Sequence, residues 1–324
     1  MKVAVIGSIV RDEIVTHLGE RRESYGGILY NVAAIASVAS EVRVLPITNV
    51  GADHYDEVIA LLSQFPSVDM SAVQQWEGRL TSALLEYRSV TYRDETVLHM
   101  MLPLTVERLS AASGCDAVLI NFINGTELEL RNFEQWRARA KALVHVDIHN
   151  KVALFDSRGK KTHIRFTDWR GWMGLIDIAQ MNEFEAELVV GRKLSEQSDY
   201  VAAAAEIMAA GPPIVMITLG PLGSVLTYER DGKAYWHACP AAPVEKVVDT
   251  TGCGDSFSAG FLCNYLQTRD PLVANAAANI VAGANCETTG IGQLEKARNA
   301  SEQIPRAFPD LAPRLAEGWR GNPL

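Results

Sequence analysis

The stretch Asp249-Thr250-Thr251-Gly252-Cys253-Gly254-Asp255-Ser256-Phe257-Ser258-Ala259-Gly260-Phe261 constrains this chain more than any other. Polar turn formers and two glycines lead into Ser256 to Gln267, where Phe257, Phe261 and Leu262 recur near helical spacing. A glycine-rich turn feeding a helix start leaves backbone N–H groups unpaired and pointing outward. Gly252, Cys253 and Gly254 therefore form a candidate anion cradle, helped by the positive end of the helix dipole. Asp255 falls in the first helical turn, beside where an anion would rest. Its carboxylate can cap the helix, or it can take a proton from a hydroxyl attacking a phosphoryl group; the spacing alone admits both.

At 324 residues the chain has length for one large α/β domain or two small ones. A hydrophobic fraction of 48% and a charged fraction of 21% are ordinary for a soluble globular protein. The formal net charge of −9 argues against nucleic acid or an anionic membrane as the main partner, so a polyanionic ligand needs a local site. Five cysteines (Cys115, Cys239, Cys253, Cys263, Cys286) show neither a C-x-x-C pair nor metal-ligand spacing, which fits a reducing cytoplasm. The apolar run after Met1-Lys2 is too short for a signal peptide, and nothing later reaches membrane length. The expectation is a soluble, cytoplasmic protein.

Lys2 to Ile6 is a continuous apolar run closed by Gly7, the pattern of a strand buried on both faces. The small residues Val32 to Ala39 predict a helix, Val42 to Ile47 a strand, and Gly51-Ala52-Asp53 the opening of a helix reaching about Gln64. Between Leu80 and Met101 the pattern changes: Leu80, Ser82, Leu84 and Val90 alternate with polar or small residues, Arg93-Asp94-Glu95 reads as a turn, and Thr96 to Met101 runs back. Strand candidates at Ala117–Asn121, Leu143–Ile148, Leu175–Gln180 and Ile214–Leu219 then alternate with helix candidates at Leu128–Ala142 and Asp199–Ala210, which predicts a parallel sheet with helices on both faces. Ser224–Tyr228 and Lys233–His237 read as a hairpin across an Asp-Gly turn. Pro271 to Asn285 reads as an alanine-rich helix and the tail after Gly292 as a final surface helix. Lys151 to Trp172 carries seven basic residues and two tryptophans and reads as a solvated loop. His145, His149 and His163 read as ordinary surface or core residues.

Asp249 to Phe261 resembles the carboxy-terminal signature of the ribokinase-like (PfkB) family of carbohydrate and nucleoside kinases, D-T-x-G-A-G-D-x-F-x-x-G-F, departing from it at Cys253, where alanine is usual. Further pieces resemble the family's motifs in the same order. Gly26-Gly27-x-x-x-Asn31 is similar to its amino-terminal G-G-x-x-x-N, and Asp12, after Gly7-Ser8, to its acceptor-binding aspartate; a turn residue is the plain alternative for Asp12. Asn182-Glu183-Phe184-Glu185 resembles N-x-x-E, and Thr218-Leu219-Gly220-Pro221-Leu222-Gly223 resembles T-L-G-x-x-G.

The resemblance implies a ribokinase-like fold: one doubly wound α/β domain, with a mostly parallel sheet, helices on both faces, and a small β lid from segments about 10–24 and 80–101. It implies transfer of the ATP γ-phosphoryl group, with Mg2+, to a hydroxyl of a sugar. Asp255 would be the base, Gly252, Cys253 and Gly254 the anion hole, and Asp12, Gly26, Gly27 and Asn31 the acceptor clamp. Asn182, Thr218, Gly220 and Gly223 would meet the nucleotide and Glu185 the magnesium through water. Asp249 and Thr251 match positions that hold a monovalent cation such as K+ in some relatives; a strand-end turn is the equal alternative. Two other functions stay open: a nucleoside or vitamin-like alcohol as acceptor, or a catalytically silent relative that binds ligands as a regulator. An apolar lid edge would further suit a homodimer through the lid.

Overall fold

The structure, a computed structural model, describes residues 1–88, 93–291 and 294–324. The chain opens with β1 (Lys2–Ile6), β2 (Ile9–Val15), β3 (Arg21–Gly27), α1 (Ile28–Val38), β4 (Arg43–Gly51), α2 (Tyr55–Leu62) and β5 (Val73–Trp76). It continues through β6 (Thr81–Tyr87), β7 (Arg93–His99), α3 (Val106–Leu109), β8 (Ala117–Asn121), α4 (Leu130–Arg137), β9 (Leu143–Asp147), β10 (Ala153–Phe155), β11 (Lys161–His163) and α5 (Trp169–Met173). Then come β12 (Ile178–Asn182), α6 (Glu183–Val190), α7 (Gln197–Met208), β13 (Ile214–Thr218), β14 (Ser224–Arg230) and β15 (Lys233–Cys239). The last elements are α8 (Cys253–Thr268), α9 (Pro271–Cys286), α10 (Ala300–Ala307), α11 (Ala312–Ala316) and β16 (Asn322–Pro323).

The main sheet has ten strands in the order β16-β15-β14-β13-β12-β9-β8-β1-β4-β5. Every pairing from β13 across to β5 is parallel, and β14, β15 and β16 extend the β13 edge antiparallel. The continuous apolar strands follow from burial on both sides. Val3 and Val5 of β1 join the core beneath α1, α8, α9 and α10, whereas Ala4 and Ile6 join the core beneath α4, α5 and α7. Period-2 side-chain alternation delivers that division, and an apolar residue is needed on each side of it. This is the doubly wound arrangement that alternating strands and helices predicted. The β14–β15 hairpin turns through Asp231 and Gly232, both at positive φ (54° and 70°), as an Asp-Gly type I′ turn requires.

A second sheet of four strands, β3-β2-β6-β7, stands beside the carboxyl end of β1. Asp12 is therefore a mid-strand residue of β2, not a turn residue, and pairs with Ser24 and Ala83. The predicted turn at Arg93-Asp94-Glu95 is instead the start of β7, and the predicted strand residue Val90 lies outside the described residues. The tail also differs from one surface helix: it forms α10 and α11, then returns as β16 to pair with β15. Gly292, the expected start of that tail, lies outside the described residues.

Lys151 to Trp172 departs most from its expected form. It is not a solvated loop: Trp169 and Trp172 are 3% exposed, and Lys151 Nζ lies 4.0 Å from the Trp172 ring centroid while donating to the Gly125 carbonyl at 3.1 Å. Counting charges missed that a lysine stem and two indoles bury together. The segment also forms the β10–β11 hairpin, which meets the outer strand of the small sheet. There Val97 N–H donates to the Gly159 carbonyl at 2.8 Å, and Lys161 Nζ lies 3.3 Å from a Glu95 carboxylate oxygen. One outer edge of that sheet is thus met by the chain's own hairpin. The other, β3, carries the exposed charges Arg21, Arg22 and Glu23, which discourage strand addition. No helix among the described residues is long and apolar enough to cross a membrane.

The hairpin contact rests on Gly159, at φ 77°, where a Cβ would lie 1.7 Å from the Val97 carbonyl oxygen. Gly159→Ala is expected to destabilise the fold by about 1–3 kcal/mol. Gly232→Ala, also at positive φ but with open space around its Cβ, should stay at the low end of that range. Urea midpoints of the two variants, measured side by side, check the difference.

Candidate active site

The carboxyl ends of β1, β8, β9, β12 and β13 open into one cavity of about 1090 Å³. In an open α/β sheet this is the crevice where ligands bind. From β1 to β13 is four strand spacings, roughly 19 Å, so the crevice has room for two small molecules end to end. Val10, Asp12, Ala83, Leu85 and Val97 of the small sheet wall one end; Thr218, Gly220 and Gly223 after β13 wall the other.

The first turn of α8 lies over the middle. Its N-cap is Gly252 at φ 78°, and a Cβ there would strike the Tyr30 ring at 2.2 Å, so only glycine lets the turn pack on α1. Gly254 has nothing within 4 Å of where a Cβ would stand: the space above it is open. The N–H groups of Gly252 and Gly254 have no acceptor among the described residues, whereas Cys253 N–H donates to the Thr250 carbonyl at 3.2 Å. The open donors of this turn are therefore those of the two glycines, and the outward Cys253 N–H expected from sequence is used inside the turn.

Asp255 is 9% exposed and faces this cavity. Its carboxylate is not spent on a side-chain cap of α8; Oδ1 accepts from Asn121 Nδ2 at 2.5 Å. The second hydrogen of that amide goes to Asn31 Oδ1 at 3.0 Å, and Asn31 Nδ2 donates to the Asp255 carbonyl at 3.0 Å. Asn31 is completely buried and does not line the cavity, so its amide serves the Asp255 backbone in place of the ligand clamp expected for it. Gly26 also lies off the cavity wall, while Asp12 and Gly27 are on it. Gly27, at φ 65° with its would-be Cβ 2.2 Å from the Ser8 carbonyl oxygen, is the turn that sends β3 into α1.

On the far side Asn182 caps α6 through a complete capping box. Glu185 N–H donates to Asn182 Oδ1 at 2.8 Å, and both Glu185 oxygens accept from Asn182, at 2.9 and 2.8 Å. Glu185 and Asn182 line the cavity. Asp249 lies off the wall; its Oδ1 accepts Thr251 N–H at 2.8 Å, and the Thr251 carbonyl accepts Asn285 Nδ2 at 2.7 Å. These bonds are those of a turn leading into α8; no strand among the described residues ends there, since β15 closes at Cys239. Among the described residues no three His, Cys, Asp or Glu side chains gather as a metal cage. A divalent ion would have to arrive with ligand oxygens, and Mg2+, which keeps most of its waters, suits one indirect carboxylate such as Glu185.

Several residues in or behind the cavity wall carry no sequence motif. Asn121 and Asp147 end buried strands, and a polar residue in that place of a parallel sheet is the available signal. Asp147 accepts from Gln180 Nε2 at 3.0 Å and Ser258 Oγ at 3.2 Å. His149 and His163 line the cavity, while His145 is a fully buried core histidine edge-on to Phe261. Lys161 and Glu95 also line the wall.

Burial governs the ionisation of this floor. Loss of water pushes Asp255 up to about 6, opposed by the Asn121 bond. It pushes Glu185 up to about 7, opposed by the Asn182 bonds and Lys161 and reinforced by Asp255. Asp147 is driven well above the carboxylate range by burial and then by Glu185 and Asp255. Each of these groups binds its proton more tightly folded than unfolded. Their contribution to stability is therefore present at low pH and is lost as pH rises from about 4 towards 7, through the values just given. Asp255→Asn removes one such group. Its Tm is expected to exceed the parent's at pH 7.5 and to converge with it near pH 4. Thermal melts across that range are the check; a variant less stable at pH 7.5 would mean the carboxylate is needed for the fold.

Over residues 2–297 the chain matches the profile described as pfkB family carbohydrate kinase. It is 29% identical to the cytidine kinase of Thermococcus kodakarensis over 83% of this chain and 90% of that protein. It is 25% identical to the guanosine-inosine kinase of Exiguobacterium acetylicum over 83% of this chain and 88% of that one. Among solved structures, Arabidopsis thaliana ribokinase complexed with ribose and ATP superposes with a TM-score of 0.73 at 17% identity, covering 94% of this chain and 97% of its own. With the crevice, the glycine turn and the ribokinase fold in place, the chain belongs to the pfkB family of carbohydrate kinases.

Proposed function

We propose that the chain transfers the γ-phosphoryl group of ATP, with Mg2+, to a sugar hydroxyl, Asp255 acting as general base. The observation that carries this reading is the position of Asp255. It faces the cavity at the start of α8, beside the open N–H groups of Gly252 and Gly254, between a wall at β2 and one at β13. An alcohol must lose its proton as its oxygen attacks phosphorus, and a carboxylate within reach can accept it. The displaced charge gathers on phosphoryl oxygens, where helix-start N–H groups stabilise it. Ala241, Ala242, Val244, Ala282 and Gly283, with Asn279, form an apolar shelf near Gly220 and Gly223 that suits a purine, which supports a nucleotide donor. Closure of the small sheet over the acceptor would exclude water, the competing nucleophile.

The wall around the acceptor end bears on which sugar. Val10, Ala83, Leu85 and Val97, with Ile123, are aliphatic. A free sugar presents hydroxyls on every side, and the single carboxyl of Asp12 on this aliphatic wall would pair only some of them. A sugar bearing an apolar or aromatic group fits better, which favours a nucleoside over a free sugar. The cytidine kinase and the guanosine-inosine kinase named above, each matched along most of the chain, are nucleoside kinases, in line with this reading.

A coupled ADP-release assay over nucleosides and free sugars tests the acceptor; turnover with free sugars alone would overturn the nucleoside reading. On the best acceptor, Asp255→Asn is expected to bind Mg–ATP near normally by calorimetry while turnover falls at least about a hundredfold. Near-parental turnover would remove Asp255 as the base. Glu185→Gln should weaken the magnesium dependence of turnover more than acceptor affinity. An unaltered magnesium titration would leave Glu185 as a partner of the Asn182 cap only.

A further inference from the structure

Cys253, the one departure from the family pattern in the α8 turn, does not stand alone. Its Sγ lies 2.9 Å from Cys286 Sγ at the end of α9, though the two residues are 33 apart in sequence. Both thiols are free, both are partly exposed, and both line the cavity; Cys115, Cys239 and Cys263 are buried elsewhere. The end of α9 already holds the loop that leads into the cradle. The Cys286 carbonyl accepts Val248 N–H at 2.7 Å and Asp249 N–H at 3.2 Å, and Asn285 Nδ2 lies 3.4 Å from Cys253 Sγ.

We propose that Cys253 and Cys286 are a reversible dithiol–disulfide site through which an oxidant of the peroxide class closes the phosphate cradle. The inference rests on the reading of Gly252 and Gly254 as that cradle. In the first step one thiolate attacks a peroxide oxygen: an S–O bond forms, the O–O bond breaks, and the leaving oxygen departs as water after protonation. In the second, the other thiolate attacks the sulfenic sulfur: the S–S bond forms, the S–O bond breaks, and the hydroxyl leaves as water. Two thiols lose two protons and two electrons, and one hydrogen peroxide becomes two waters. A dithiol reductant reverses the bond by exchange.

The bond would act on the cradle through geometry. A disulfide holds its sulfurs at about 2.05 Å, so the pair must close by nearly an ångström. Cys253 is the first residue of α8 and lies between the two glycines whose N–H groups are open. Pulling it towards α9 shifts both donors, and a misplacement of about 1 Å at a reacting centre can cost on the order of a hundredfold. In a reducing compartment such a pair rests as thiols and reports an oxidising excursion.

The test treats the full chain with hydrogen peroxide, alkylates the remaining thiols and maps the peptides. It then measures Mg–ATP affinity by calorimetry and phosphoryl transfer before and after dithiothreitol. The expected result is a Cys253–Cys286 cross-linked peptide, with Mg–ATP affinity or turnover at least about tenfold down and restored by the reductant. Cys286→Ser should show a treated-to-untreated ratio near one. The proposal is overturned if both residues remain alkylatable while the chain's other thiols oxidise. It is equally overturned if the cross-link forms and Mg–ATP affinity and turnover do not move, or if Cys286→Ser is inactivated like the parent. Untreated protein that binds no Mg–ATP would sink the kinase reading instead, and the peptide map, which needs no substrate, would still decide the modification site.

Discussion

The Asn121 side-chain amide is the joint on which the site depends. Its two hydrogens go to Asp255 Oδ1 and Asn31 Oδ1, and Asn31 closes the triangle on the Asp255 carbonyl. Three elements distant in sequence, α1, β8 and α8, are thereby fixed to one another at the point where the carboxylate meets the cavity. All three residues are buried, so none of these bonds is weakened by competing water, and losing any partner would strand a polar group. Asp255 thus has one position and one preferred orientation before any ligand arrives. Preorganisation of that kind is what a general base or an oxyanion donor needs.

A second consequence follows from the same burial. Asp147, Glu185 and Asp255 lie close together: Glu185 and Asp255 raise the proton affinity of Asp147, and Asp255 raises that of Glu185. The bonds from Asn121 and Asn182 favour the charged forms of Asp255 and Glu185 and hold them near neutrality instead of far above it. A base poised near the working pH both holds a proton when needed and gives it up afterwards. The arrangement costs folded-state stability near neutral pH, the usual balance where a site is built for chemistry and not for packing.

What the sequence disclosed divides along physical lines. Buried parallel strands were legible because double-sided burial forces an unbroken apolar run, as in Ala117–Asn121. The glycine turns were legible because positive φ and close approach leave few residue choices, as at Gly27 and Gly252. Asn121 and Asp147 were not, because a single polar residue ending a strand has no spacing to betray its partner. Asn31 was recognised as a site residue, but whether its amide faces a ligand or a buried carbonyl depends on tertiary packing that no motif encodes. Lys151 to Trp172 misled for a further reason. Its charges are countable in sequence, but the burial of Trp169, Trp172 and the Lys151 stem becomes visible only when the segment is folded against Phe122 and the small sheet.

The charge balance of the cavity bears on how a polyanion could be held by a chain of formal charge −9. Among the described residues lining the cavity, Lys161 carries the one ammonium, and Glu95 already occupies it at 3.3 Å; Asp12, Glu183, Glu185 and Asp255 contribute carboxyls. Side chains alone cannot neutralise a triphosphate there. The backbone can supply part: the open N–H groups of Gly252 and Gly254 and the positive end of the sixteen-residue helix α8 behind them. These are dipoles of about half an elementary charge in total, well short of what a triphosphate carries. The remainder has to come from a cation that travels with the phosphates, and the carboxyls that would repel a bare nucleotide are suited to receive a hydrated one. If the donor is a nucleotide, as proposed, the acidic wall would favour its metal complex over the bare polyphosphate.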